Sequence, residues 1–354
     1  MEFPFYHVAA FVISAVIVLV LTPLVRKIGI ASGRVDMPGD RKVHSQPMVR
    51  LGGVAIFSGV LVALLVVWFT GGFLGADGLP LDPVTDHSIW GVTLGGVAFF
   101  AIGLLDDLFG LSAISRLIMQ IIVASMAWYV GVDIAFLNLP WSETGITQLP
   151  DVISWVVTIF WLVGMANAIN WIDGLDGLAA GVSGIAAVVM TVVALYMQQP
   201  AAALVAAALA GASLSFLRYN FNPAQIFMGD GGAYFIGFTL AGVGIIGLVK
   251  GVTTVAVLLP SLTLAIPILD MSTVIVLRLR KGLSPFVADK RHLHHRLLKA
   301  GFSHRFTVLF IYALALWVGS LAMAFSGLRA GIPFVLASTA LLSYTGWRAI
   351  HHAR

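Results

Sequence analysis

The chain has 354 residues, 59% of them hydrophobic and only 10% charged, with a net charge of +4 and no cysteine. That balance excludes an ordinary soluble globular protein, and the missing thiols exclude disulfides, thiolate catalysis and a Cys-based zinc site. With a mean hydropathy of +0.99, the sequence reads as one all-α polytopic membrane domain over 1–354, because backbone in lipid must satisfy its own hydrogen bonds.

Apolar windows of about 20 residues follow in chain order at 8–25, 51–71, 89–105, 115–132, 151–168, 177–197, 201–217, 233–249, 252–277, 306–325 and 330–348. They predict about 11 transmembrane helices. The first lies in "MEFPFYHVAAFVISAVIVLVLTPLVRK", whose acidic flank and long apolar run read as a retained span and not as a signal peptide. An odd number of spans puts the two ends on opposite sides. Taking 26–50, 106–116, 218–232, 278–305 and 348–354 as one face gathers 18 of the 20 Lys and Arg there. The positive-inside rule makes that face cytoplasmic, with the N-terminus outside and the C-terminus inside. The basic charge is therefore a sidedness signal, and it argues for no nucleic-acid partner. The outer loops carry seven acidic residues, Glu2 included, without repeated pattern, and read as connectors.

Every concentrated polar stretch falls on the inner face: "RVDMPGDRKVHSQPMVRLGG" (34–53), "GLLDDLFG" (103–110), "NAINWIDGLDG" (167–177), "RYNFNPAQIFMGDGG" (218–232) and "ADKRHLHHRLL" (288–298). A helix bundle can bring such ends together into one pocket, with active-site loops at about 26–50, 106–116, 168–177, 218–232 and 278–305. One acid at a span end is an ordinary solvated terminus. Five of them, Asp106, Asp107, Asp173, Asp176 and Asp230, would repel one another and raise each other's pKa. A hard divalent cation with oxygen ligands, Mg²⁺ above all, relieves that repulsion. Asp173 and Asp176 share a face if "DGLDG" is helical, and Asn167 and Asn170 repeat the spacing one turn earlier. Those amides serve either helix-to-helix bonding or a nucleobase or sugar.

The bases come next. Arg34, Arg41, Lys42, His44 and Arg50 suit anionic lipid head groups, and "RKVH" before the helix-opening "LGG" at 51–53 equally suits phosphate. His292, His294 and His295, framed by Lys290, Arg291 and Arg296, read as partners of pyrophosphate oxygens, with a zinc site the other reading. Asp270 in "PILD" lies within a predicted span, three residues after Pro267, where a proline kink would let it face the pocket.

Together "LLDD", "NAINWIDGLDGLAAG", "NFNPAQIFMGDGGAYFIG", "PILD" and "ADKRHLHHRLL" resemble, in order and over about residues 23–305, the polyprenyl-phosphate N-acetylhexosamine-1-phosphate transferases. That family includes the MraY translocases and the initiating enzymes of enterobacterial common antigen and teichoic acid. Leu293 between the first two histidines resembles the GlcNAc-1-phosphate branch more than the "PLHHHFE"-like MraY branch, whose muramyl-pentapeptide substrate is the alternative. The resemblance implies transfer of GlcNAc-1-phosphate from UDP-GlcNAc to undecaprenyl phosphate in the bacterial inner membrane, with Mg²⁺, or Mn²⁺ in its place, and a homodimer.

By the same resemblance, Asp230 is the principal metal ligand, and Asp106 and Asp107 act at the metal or on the lipid phosphate, with Asp107 a second ligand. Asp176 supports the metal site. Asn170, Asp173, Asn220 and Phe227 hold the uridine end, Phe227 by stacking, with Asn167 beside them. His292, His294 and His295, together with Arg41, Lys42, His44, Arg291 and Arg296, face the phosphates. From another class, a secondary transporter would use an odd span count and an intramembrane Asp270. The collection of acids at one surface opposes that reading.

Overall fold

The computed structural model of the protein describes residues 5–36, 47–74, 79, 81–138, 146–249, 258–282 and 292–352. Eight helices among them are long and apolar enough to cross a membrane. They are α1 (Phe5–Ala31), α2 (Gly52–Phe69), α3 (Pro83–Phe109), α5 (Asp151–Ile172), α6 (Leu178–Tyr196), α7 (Pro200–Asn220), α8 (Gly229–Val243, continued by π-helical turns to Val249) and α12 (His304–Phe325). Each overlaps one predicted window. The window at 115–132 holds the shorter α4 (Ala113–Tyr129), and that at 330–348 holds α13 (Gly331–His352).

The window at 252–277 differs. Its described part is two helices, α9 (Leu258–Thr263) and α10 (Ala265–Leu279), broken at Leu264. Pro267 therefore sits in the first turn of α10, where its missing N–H costs no helical bond, instead of kinking one continuous span. A further short helix, α11 (Leu293–Lys299), carries the histidines. The all-α expectation holds apart from two small antiparallel ladders, β1 (Val35–Asp36) with β2 (Met48–Val49) and β3 (Phe136–Asn138) with β4 (Ile146–Gln148).

The helix ends follow the local sequence. The Asp82 side chain accepts from the N–H groups of Val84 and Thr85, with Pro83 at the first helical position, and so starts α3. Ser112 caps α4 and Ser303 caps α12 in the same way. α7, "PAAALVAAALAGASLSF", is built of small side chains that let neighbouring backbones approach closely in lipid, and it packs between α1 and α6. α8 is enclosed by α2, α3 and α5, with 94% of its most apolar window buried. Every residue from Gly231 to Val243 is buried, as befits a central helix. Phe99 of α3 stacks on Phe238 of α8 at 4.4 Å, and Phe57 of α2 on Phe100 at 4.1 Å. These rings fix the three helices that deliver the polar residues described next.

Candidate active site

The three glycines of "MGDGG" let the start of α8 approach its neighbours without side chains in the way. Gly229 has φ +76°, and a Cβ there would lie 2.0 Å from the Arg50 carbonyl oxygen, so only glycine fits. Across the junction, the N–H groups of Gly52 and Gly53 donate to the carbonyls of Phe227 and Met228, and the Phe227 N–H donates to Val49. These bonds stitch the α2 start to the α8 start. They also correct the expectation that "LGG" offers its backbone to phosphate, since both N–H groups are already used.

Asp230 follows directly. Its Oδ1 accepts from Asn170 Nδ2 at 2.9 Å and from Arg50 at 3.3 Å, and its Oδ2 accepts from Arg116 at 3.2 Å. Arg116 also binds Asp106, whose other oxygen accepts from the Leu111 N–H at 2.7 Å. Asp107, its side chain only 2% exposed, plays another part. Its two oxygens accept from the N–H groups of Asp230 and Gly231 at 3.1 and 3.0 Å, so a carboxylate of α3 caps the first turn of α8. Three acids from two helices, two arginines and one asparagine thus form one hydrogen-bonded centre. Arg50 and Arg116 offset part of the repulsion among these acids.

Among the described residues, no three His, Cys, Asp or Glu side chains form a ready-made metal cage. Mg²⁺ does not need one, since it is commonly held by one or two carboxylates together with waters and substrate phosphates. Asp106 and Asp230, which share Arg116, supply such a pair of hard oxygen donors. Asp107 was expected as a ligand beside Asp230, and the structure instead engages both its oxygens with backbone N–H groups.

α5 ends at Ile172, and residues 173–177 form turns, so the helical condition under which Asp173 and Asp176 would share a face is not met. Asp176 Oδ2 accepts from the Asn222 side chain and the Ala224 N–H, both at 3.0 Å, which ties the turn to "NFNPAQ". Asn220 completes that tie with its oxygen on the Gly177 N–H and its nitrogen on the Ile226 carbonyl. Asn167 donates to Gln120 of α4 and to the Val163 carbonyl, both at 2.8 Å, the helix-bonding alternative for an amide at that position. Phe227 is half-buried, with its backbone in the α2 junction.

Burial pushes the Asp173 carboxyl up from 3.8 to about 7, with Asp107 and Asp176 adding repulsion and Arg50 opposing it. Between those values the folded chain holds a proton that the unfolded chain has lost, so this group makes stability fall as pH rises through the window. Melting temperatures taken from pH 4.5 to 7.5 are expected to decline for the native chain relative to Asp173→Asn. Parallel curves for the two proteins would show that the Asp173 proton is not held.

The histidines meet the same turn from the other side. His294 is 2% exposed and its ring presses on Gly174. Burial, and then the neighbouring His295 and His292, pull it down to about 3 against the pull of Asp270, so it is a neutral, enclosed ring at pH 7. His292 neighbours both Trp171 and His294, with ring centroids 5.9 and 5.6 Å away. His295 is half-buried and Arg296 exposed on α11. Arg41, Lys42, His44 and Arg291 lie outside the described residues. Sequence reasoning missed Arg116 as a site residue, although it is the lone base of the 106–116 loop, and it left Arg50 among the lipid-facing bases.

Residues 89–248 match the family model described as glycosyl transferase family 4. The chain is 37% identical over 311 residues to the Bacillus subtilis (strain 168) probable undecaprenyl-phosphate N-acetylglucosaminyl 1-phosphate transferase, covering 87% of this chain and 81% of that one. It is also 37% identical over 332 residues to the decaprenyl-phosphate N-acetylglucosaminephosphotransferase of Mycolicibacterium smegmatis, covering 87% and 79%. A third relative, the undecaprenyl-phosphate alpha-N-acetylglucosaminyl 1-phosphate transferase of Yersinia pestis, is 28% identical over 285 residues, covering 79% and 73%.

Proposed function

The chain belongs to glycosyl transferase family 4, and from that premise we propose that it transfers GlcNAc-1-phosphate from UDP-GlcNAc to a polyprenyl phosphate, undecaprenyl phosphate in particular. The observation that carries this reading is the centre around Asp230, where carboxylates and guanidinium groups interleave at the ends of membrane helices. An oxygen of the lipid phosphate attacks the β-phosphorus of the donor. The bond from that phosphorus to the bridging oxygen breaks, and UMP leaves with that oxygen. The product is polyprenyl-diphosphate-GlcNAc.

Such a transfer asks for positioning and charge stabilisation more than for covalent help. Arg50, with its side chain 45% exposed, and Arg116, at 26%, retain access for phosphate oxygens while anchored to acids. Each guanidinium has five N–H donors, more than its carboxylate partners use. Asn170 orients the Asp230 carboxylate, and Asp107 fixes the backbone on which that carboxylate stands. Asp230 and Asp106 would hold Mg²⁺, which, when bound, supplies positive charge against the diphosphate. The charged face lies on the cytoplasmic side of the inner membrane, so the nucleotide sugar arrives from the cytosol and the lipid from the bilayer.

The test is product formation by purified protein given UDP-GlcNAc, undecaprenyl phosphate and Mg²⁺, with UDP-GalNAc in parallel and chelator as control. Lipid-linked GlcNAc and an equal yield of UMP are expected, and none with chelator. No product from either sugar nucleotide would overturn the assignment.

A further inference from the structure

Asp270 is a carboxylate 8% exposed on α10, where it is the one charged residue from Ala265 to Val276. Burying a charge there is costly unless it is paired and hydrogen-bonded. Its hydrogen bonds run to the start of α11. Oδ2 meets His292 Nδ1 at 2.8 Å, and Oδ1 accepts from the Leu293 N–H at 2.6 Å. A residue without a role in the sequence is thus joined to the first of the three histidines.

The chemistry of that contact is specific. A carboxylate accepts only, so His292 must carry its proton on Nδ1. When the ring is neutral, Nε2 is then the nitrogen with the free lone pair. A carboxylate on one imidazole nitrogen fixes tautomer and ring orientation and raises the basicity of the other nitrogen. Its aromatic neighbours hold the ring without competing for Nδ1: Trp171 in a T-shaped contact at 5.9 Å and His294 nearly parallel at 5.6 Å. The buried Arg278 guanidinium of α10 lies 5.0 Å over Trp171, which pins that indole in turn.

We propose that Asp270 is a positioning residue that holds His292 as its Nδ1–H tautomer and presents Nε2 to the phosphates of the transfer reaction. The proposal rests on the transferase reading above for its substrate. The tautomer does not depend on that reading.

The test uses full-length protein in detergent with ¹⁵N-labelled histidine. His292 signals are assigned by their loss in His292→Asn and followed as pH is raised until the ring is neutral. The native protein is expected to show the Nδ1–H form, and Asp270→Asn, which keeps an acceptor for Leu293, the Nε2–H form. In the transferase assay, Asp270→Asn is expected to lower kcat about 10- to 100-fold, the usual cost of losing an orienting partner, with KM for UDP-GlcNAc within about twofold. In a His292→Asn background the same change is expected to cost less than about twofold, because Asp270 acts only through the ring.

A native His292 in the Nε2–H form would overturn the proposal, whether or not Asp270→Asn folds. So would losses from the two substitutions that multiply, or a KM change with kcat intact. If the native protein makes no lipid-linked sugar, the functional reading fails while the spectra still decide the tautomer.

Discussion

Purified Asp230→Asn protein is expected to form no measurable lipid-linked product, a loss of at least about 10³-fold, while its melting temperature stays close to that of the native chain. The substitution keeps the shape and leaves an oxygen for Asn170, so the contact holding α5 to α8 survives. What disappears is the negative charge on which Arg50 and Arg116 converge, together with a carboxylate proposed to hold Mg²⁺. Groups aimed at developing charge are worth about 3–4 kcal/mol each when one is removed, and this substitution unsettles two arginines at once. Activity within tenfold of native would place the reacting phosphates elsewhere. A collapse of the melting temperature would instead make Asp230 a structural linchpin.

Gly103→Ala is the companion experiment, since it moves the same carboxylate without touching its chemistry. A Cβ at Gly103 would lie 2.4 Å from both the carbonyl carbon and the oxygen of Asp230. Backbone atoms cannot swing aside, so α3 and α8 must part by a fraction of an ångström to one ångström. Overpacking of that kind costs about 1–3 kcal/mol of stability, and a misplacement of about 1 Å at a reacting centre can cost about 10²-fold in rate. The expected outcome is a lowered melting temperature together with a kcat reduced about 100-fold. Native kcat with native stability would mean that the junction is softer than its geometry indicates.

The two substitutions show what the sequence could and could not reveal. Asp106, Asp107 and Asp230 were visible because acids at the ends of apolar runs stand out against lipid, and the helix of each span followed from length and hydropathy. Their division of labour was hidden. Nothing local to "LLDD" says that the second acid caps a helix more than a hundred residues away while the first meets Arg116. The spacing of "DGLDG" puts both acids on one face only if the segment is helical, and nothing local decides that. The chain turns there instead, and Asp176 is taken up by Asn222 and Ala224 of a distant loop. Asp270 was noticed as anomalous, and its partner became apparent only once α10 and α11 were placed together. Single residues that carry an unusual cost are legible in a sequence, whereas pairings set by tertiary approach are not.

The cap that Asp107 provides has a consequence for how the chain is made. The first turn of α8 is completed by a side chain synthesised long before it, and so are the contacts of Asp230 with Arg50, Arg116 and Asn170. Every partner of that carboxylate has left the ribosome when residue 231 is added. Membrane chains that assemble from the N-terminal side can therefore close the acidic half of the site during synthesis, with Asp230 as the latch. The half built on Asp270 and His292 closes only after a further sixty or so residues, against a surface already formed.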